Sequence, residues 1–127
     1  MDILSSNSNV MMEKSLEFLW KKQGAILDNI ANAETPNYKP KAVKFEEGLR
    51  AKLENAANGA APTRAIRETL EDSHITVERQ HECTRMDDNG VNVTEQNAEM
   101  IRNAYQMQYV MRSISDDLGR LRSAIRG

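Results

Sequence analysis

Apolar residues recur at alternating spacings of four and three in two long stretches of the chain. The first runs Met12, Leu16, Leu19, Gln23, Ile26, Ile30, Ala33. The second runs Val93, Asn97, Met100, Ala104, Met107, Met111, Ile114, Leu118, Leu121, Ile125. That spacing is the seam of a helix packed on another helix. Ser8 or Asn9 is placed to cap the first helix. Pro36 ends its pattern, because proline pushes Thr35 out of helical angles. Thr94 is the candidate cap of the second helix. Glu95 and Glu99 in its early turns, and Arg120, Arg122 and Arg126 in its last, suit the helix dipole. The second helix, about 32 residues, would be roughly 48 Å long at 1.5 Å per residue.

Neither helix can hide its stripe alone. The pattern therefore predicts a mostly all-α fold, in which long N- and C-terminal amphipathic helices pair as an antiparallel coiled-coil-like hairpin. Matching the stripes end to end sets Met12 near residues 121–125 and Ile30 near residues 104–107. Gln23 and Asn97 are polar members of the seam, of the kind that fixes register at a cost in stability. Methionine and alanine dominate the rest, which predicts a soft, adaptable interface.

Between the helices, residues 45–55 (FEEGLRAKLEN) carry a modest helical pattern through Phe45, Leu49 and Leu53. Residues 55–63 (NAANGAAPT) read as a flexible loop. Residues 65–71 suit a short helix. Residues 74–79 (HITVER) alternate like a brief strand, and Asn89-Gly90 is a turn signal. The organisation is thus a disordered N-terminus at 1–8, a helix at 9–34, a partly flexible middle at 35–92 and a helix at 93–127.

Composition narrows the function classes. Of 127 residues, 39% are hydrophobic, 28% charged and 5% aromatic, with a single tryptophan, Trp20. This fits long amphipathic helices better than a dense globule. The net charge is −2 with both signs interspersed, which gives no electrostatic case for nucleic acid. The C-terminal arginines, Arg112 included, are mixed with Asp116 and Asp117 and lack interleaved aromatics, so they read as a solvated helix face. No apolar run approaches the roughly 20 residues of a spanning helix, so no membrane insertion is expected. The first ten residues lack a basic and apolar leader, which predicts no cleaved signal. The lone Cys83 can form no intrachain disulfide.

Catalytic chemistry is hard to find. His81-Glu82-Cys83 lacks a second histidine four residues after the first, and with His74 it matches no zinc spacing. No phosphate-cradling loop or nucleophile elbow appears. Glu46-Glu47, Asp87-Asp88 and Asp116-Asp117 are sequence neighbours, which point in different directions on a helix. The expectation is no enzyme, no metal and no cofactor.

One motif is specific. Asn29-Ile30-Ala31-Asn32-Ala33-Glu34-Thr35-Pro36-Asn37-Tyr38-Lys39 resembles the N-I-A-N-x-x-T-P-x-Y-K signature of bacterial flagellar rod and hook proteins. It falls after an amphipathic N-terminal helix, as it does there. Arg85-Met86-Asp87, followed by Asn89 and Val91, resembles that family's R-x-D-G-N-x-V stretch. Asp88 and Gly90 depart from it. The resemblance covers both ends of the chain, and it implies a structural axial subunit of the basal-body rod, exported by the flagellar type III apparatus. The implied partners are further copies of itself, the rod proteins FlgC and FlgF, the adaptor FliE, the MS ring and the export gate. Asn29, Ile30, Ala31, Asn32, Thr35, Pro36, Tyr38 and Lys39 are then the assembly motif. On this reading the two asparagine amides serve specificity where a helix end meets another subunit. Phe45 and Leu49 resemble an export-gate motif of early rod and hook substrates. The competing reading is a cytosolic helical adaptor or chaperone that holds a partner helix on the same stripes.

Overall fold

The computed structural model describes residues 6–80 and 90–127. The element order is α1 (Asn7–Ala31), β1 (Lys41–Phe45), α2 (Leu49–Ala57), α3 (Pro62–Glu71), β2 (Ile75–Arg79) and α4 (Val93–Arg126). The fold is mostly helical, with long terminal helices and a small two-stranded sheet between them. Among the described residues no helix is long and apolar enough to cross a membrane.

Helix α1 starts at Asn7, two residues earlier than the sequence suggests. Its cap is Ser6, whose hydroxyl accepts from the Asn9 amide at 3.3 Å, rather than Ser8 or Asn9. Helix α4 is capped by Asn92, whose side chain accepts from the Glu95 amide at 3.3 Å, rather than by Thr94. In each case the residue in extended conformation just ahead of the helix supplies the oxygen, which is where a cap must sit.

Strand β1 pairs antiparallel with β2, from Lys41 opposite Arg79 to Phe45 opposite Ile75. The strand at residues 41–45 had no counterpart in the sequence reading, which gave Phe45 to a helix. Phe45 instead stacks on Phe18 of α1, with ring centroids 4.8 Å apart and planes 10° from parallel. Gly48, at φ 77°, turns the chain from strand to helix, so α2 begins only at Leu49. The alanine-rich stretch expected as a loop is non-helical only over residues 58–61. Residues 55–57 finish α2, and Pro62 opens α3 at its first position, where a missing N–H costs nothing. Alanine's helix propensity accounts for this.

Helix α1 packs on both sides. Phe18 and Asn7 face the sheet and α3, where Asn7 Nδ2 donates to the Thr63 carbonyl at 2.9 Å. Lys14 reaches the Ser73 carbonyl at 3.2 Å. The buried apolar side chains include Leu19, Ala25, Ile26, Ala33, Val43, Leu49, Leu70 and Val91.

The hairpin of α1 and α4 is antiparallel, but its register and its seam both differ from expectation. Lys22 pairs with Glu99 at 3.0 Å, Asn103 Nδ2 donates to the Leu19 carbonyl at 2.9 Å, and Asn29 Nδ2 donates to Gln96 Oε1 at 3.0 Å. Ile30 therefore lies at the first turns of α4, not near residues 104–107. Met12 likewise lies short of residues 121–125. The shift is roughly ten residues, or three helical turns. Because α4 has 34 residues and α1 has 25, the end of α4 extends past Asn7.

The seam is corrected by one column. Asn103 is fully buried, at 0% exposure, while Asn97 is exposed. Met100, Met107, Ile114 and Leu121 remain half-buried on the packed side. Val93, Ala104, Met111, Leu118 and Ile125 are exposed. On α1 the expected seam holds better. Leu19 and Ile26 are buried, and Met12, Leu16, Gln23 and Ile30 are half-buried. The cause is the amide of Asn103, which bonds both the Leu19 carbonyl and Gln23 Oε1, the latter at 2.8 Å. Those bonds turn the Asn103 column inward and the neighbouring apolar column out.

Candidate functional site

The end of α1 is built from its own motif. Asn32 caps the helix. Its backbone N–H donates to the Asp28 carbonyl at 3.1 Å and its Nδ2 to the same carbonyl at 2.8 Å. The Thr35 hydroxyl donates to Asn32 Oδ1 at 3.2 Å, and the Thr35 amide to the Asn32 carbonyl at 3.0 Å. These bonds satisfy carbonyls that a helix end would otherwise leave open. Pro36 then prevents continuation, and Asn37 takes the left-handed conformation at φ 60° that Asn tolerates better than most residues. The chain reverses and delivers Tyr38 back onto α1.

Asn29 closes the corner. It is 1% exposed and makes four hydrogen bonds. Nδ2 donates to the Lys41 carbonyl at 2.9 Å and to Gln96 Oε1 at 3.0 Å. Oδ1 accepts from the Lys41 amide at 2.8 Å and from the Tyr38 hydroxyl at 3.0 Å. Two donors and two acceptor sites are all that a carboxamide has. One side chain thus ties α1, the corner, β1 and α4 together. Within this chain the amide's two donors and two acceptor sites are all occupied. Asn32 is likewise bonded to its own helix and to Thr35.

A second shell of contacts surrounds the corner. The Arg79 guanidinium lies 5.6 Å from the centre of the Tyr38 ring, and its Nη1 donates to the Lys39 carbonyl at 3.1 Å. The Gln80 amide donates to the Pro40 carbonyl at 2.8 Å and the Gly90 amide to the Tyr38 carbonyl at 3.3 Å. Lys41 Nζ pairs with Asp28 at 2.8 Å. Ile30 is half-buried and Ala33 buried, whereas Ala31 and Pro36 are exposed.

The other candidate surface is the outward side of the hairpin. A groove of about 670 Å³ runs beside Gln23, with Ala104, Met107, Gln108 and Met111 on its α4 side. Trp20 is 69% exposed, Met111 48% and Ile125 78%. These large apolar side chains meet solvent on both long helices.

Among the described residues the carboxylates with lowered pKa are ion-paired. Glu99 is held below the ordinary carboxylate value, chiefly by the hydrogen bond from Lys22. Glu17 and Glu46 are lowered in the same way by Lys21 and Lys52. Each is an ion pair on a helix or sheet surface. Among the described residues no three His, Cys, Asp or Glu side chains converge as a metal site. His81, Cys83, Arg85, Met86, Asp87, Asp88 and Asn89 lie outside the described residues. Phe45 and Leu49 do not share a helical turn. One ends β1 and the other is buried at the start of α2.

Sequence reasoning missed Gln96, Lys41 and Asn103. Gln96 and Asn103 each stand one residue before a seam position, Asn97 and Ala104, and only the packing separates those columns. No protein-family model matches the chain, and a search of curated proteins finds no match.

Proposed function

We propose that this chain is a non-enzymatic axial subunit of the bacterial flagellar rod, of the proximal type represented by FlgB. It is exported through the flagellar type III apparatus and polymerised in the periplasm through its terminal helices. The carrying observation is the Asn29–Lys39 motif, whose polar residues bond one another at the end of α1 and fix where α4 begins. A torque-bearing subunit needs its two long helices held in one register, and Asn29 bonds Gln96 across them. It also needs apolar surface left over for neighbours, which the outward column of α4 supplies. Its neighbours are further copies of itself, FlgC, FlgF and FliE, beside the MS ring and export gate.

Mass spectrometry of purified hook–basal bodies from the source bacterium tests this reading. The chain is expected there with its N-terminal residues intact. Its absence from intact basal bodies, with the protein abundant in the cytosol, would replace the rod reading with that of a cytosolic helical adaptor.

A further inference from the structure

Residues 58–61 join α2 to α3, and all of them are exposed. Asn58 caps α2 at φ −90° and ψ 0°. Its N–H donates to the Glu54 carbonyl at 3.2 Å, while its side-chain carboxamide makes no hydrogen bond. Gly59 follows, with its N–H donating to the Ala56 carbonyl at 3.3 Å. That is a local bond at a helix end, where helices fray. Among the described residues every other asparagine precedes a residue that carries a Cβ. The buried pair, Asn29 and Asn103, is also held by hydrogen bonds.

A free carboxamide beside an unhindered backbone nitrogen is an intramolecular reactant pair, and holding the two together replaces a slow bimolecular encounter. We propose that Asn58 is a spontaneous modification site, at which the Gly59 nitrogen attacks the side-chain carbonyl carbon. The bond from Gly59 N to Asn58 Cγ forms, and the bond from Cγ to Nδ2 breaks. The Gly59 N–H proton leaves with Nδ2 as ammonia. Water then opens the cyclic imide. Cleavage between the nitrogen and Cγ leaves aspartate. Cleavage between the nitrogen and the backbone carbonyl carbon leaves isoaspartate, with the main chain routed through Cβ.

Either product adds a negative charge at the C-terminal end of α2, where the helix dipole disfavours an anion. Isoaspartate also lengthens the link to α3 by one carbon. The first turn of α3 holds the start of α1 through the bond from Asn7 to the Thr63 carbonyl, so the change falls close to that contact. The site goes beyond the rod reading and does not rest on it.

Asn89-Gly90 is the same dipeptide, with Asn89 outside the described residues. Gly90 is half-buried, and its N–H donates across the fold to the Tyr38 carbonyl at 3.3 Å. That nitrogen is tied to the corner, so Asn58 reacts first in the folded chain.

Incubation of the purified full chain at mildly alkaline and mildly acidic pH, followed by peptide mapping in a mass spectrometer, tests the assignment. The expected mass gain, an oxygen in place of an NH, falls on Asn58 ahead of Asn89. It grows faster at the higher pH, where the attacking nitrogen loses its proton more readily. A Cβ at residue 59 has room, since it would stand 3.5 Å from the Ala56 oxygen, but it crowds the approach of the nitrogen. Gly59→Ala should therefore slow the gain at least about tenfold, a rise of about 1.4 kcal/mol in the barrier. Asn58→Gln should abolish it. No gain at Asn58, a gain at Asn89 first, or an unchanged rate in Gly59→Ala would each overturn the assignment. Circular dichroism of both variants, matching the parent, excludes an altered fold as the cause of a slower reaction.

Discussion

Replacing Asn29 should destabilise the chain far more than replacing the other buried asparagine, Asn103. Asn29→Leu keeps the approximate volume and removes all four hydrogen bonds of the amide. The Tyr38 hydroxyl and the Gln96 side chain are on half-buried residues and can turn to water. The Lys41 amide and carbonyl face a side chain that is 1% exposed, and they lose their partner in place. An orphaned buried backbone group costs about 1–3 kcal/mol, so two give a loss of about 2–6 kcal/mol. Asn103 differs in kind. Its Nδ2 is bonded but its buried Oδ1 has no donor. Asn103→Leu removes a half-satisfied amide, and the Leu19 carbonyl belongs to the interior of α1 and keeps its helix partner. The expected change is between zero and about 1 kcal/mol of stabilisation, since removing an unsatisfied buried group gains back its desolvation cost. Urea unfolding followed by circular dichroism measures both differences directly. Equal losses at the two positions, or an Asn29→Leu loss below about 0.5 kcal/mol, within the range of ordinary surface substitutions, would refute the clamp assigned to Asn29.

Three further outcomes are expected. Tyr38→Phe removes one bond to Asn29 Oδ1 and keeps the ring under Arg79, so unfolding should show a loss of about 1 kcal/mol, the worth of one hydrogen bond. Leu118→Lys changes an exposed residue. It should leave the unfolding curve within about 0.5 kcal/mol of the parent while blocking incorporation into basal bodies, and normal motility would discount that column in assembly. Glu99 titrates below its ordinary value of 4.5 because Lys22 bonds its ionised form. A depressed carboxylate adds stability that is present above 4.5 and lost as pH falls through the lower folded value. The parent should therefore lose stability below about pH 4.5 more steeply than Glu99→Gln, and parallel pH profiles would count against the pair.

The long helices were legible because their signal is periodic over many turns. Caps were misplaced by two or three residues, since Ser6, Ser8 and Asn9 all offer a side-chain oxygen and only geometry chooses among them. The corner was located by its motif, but its working was not legible. Nothing in the order of residues says that Asn29 meets Lys41 and Gln96, which lie 12 and 67 positions away. The strand β1 went unread because five residues with one interior lysine alternate too briefly to outweigh the helical spacing of Phe45 and Leu49. The register of the hairpin went wrong for a physical reason. End-to-end matching of stripes assumes that burial alone sets the offset, whereas the bonds from Asn29 to Gln96 and from Asn103 to Leu19 set it here.

Those two amides assign the motif a different task from the one its exposed position in sequence suggests. A residue whose four bonding sites are filled inside its own fold has nothing left to offer a neighbour. The motif acts instead at one remove. Asn29 brings the start of α4 level with the end of α1. Asn103, two turns further along α4, then decides which column of that helix turns inward. The more apolar column, through Ala104, Met111, Leu118 and Ile125, is left facing out. In water alone that arrangement is unfavourable, because the column toward α1 carries Asn103 and Asp117 while methionine, leucine and isoleucine meet solvent. It becomes favourable when another helix covers the outward column. The polar bonds inside the hairpin therefore leave an apolar column exposed, and the corner determines where along the molecule that surface lies.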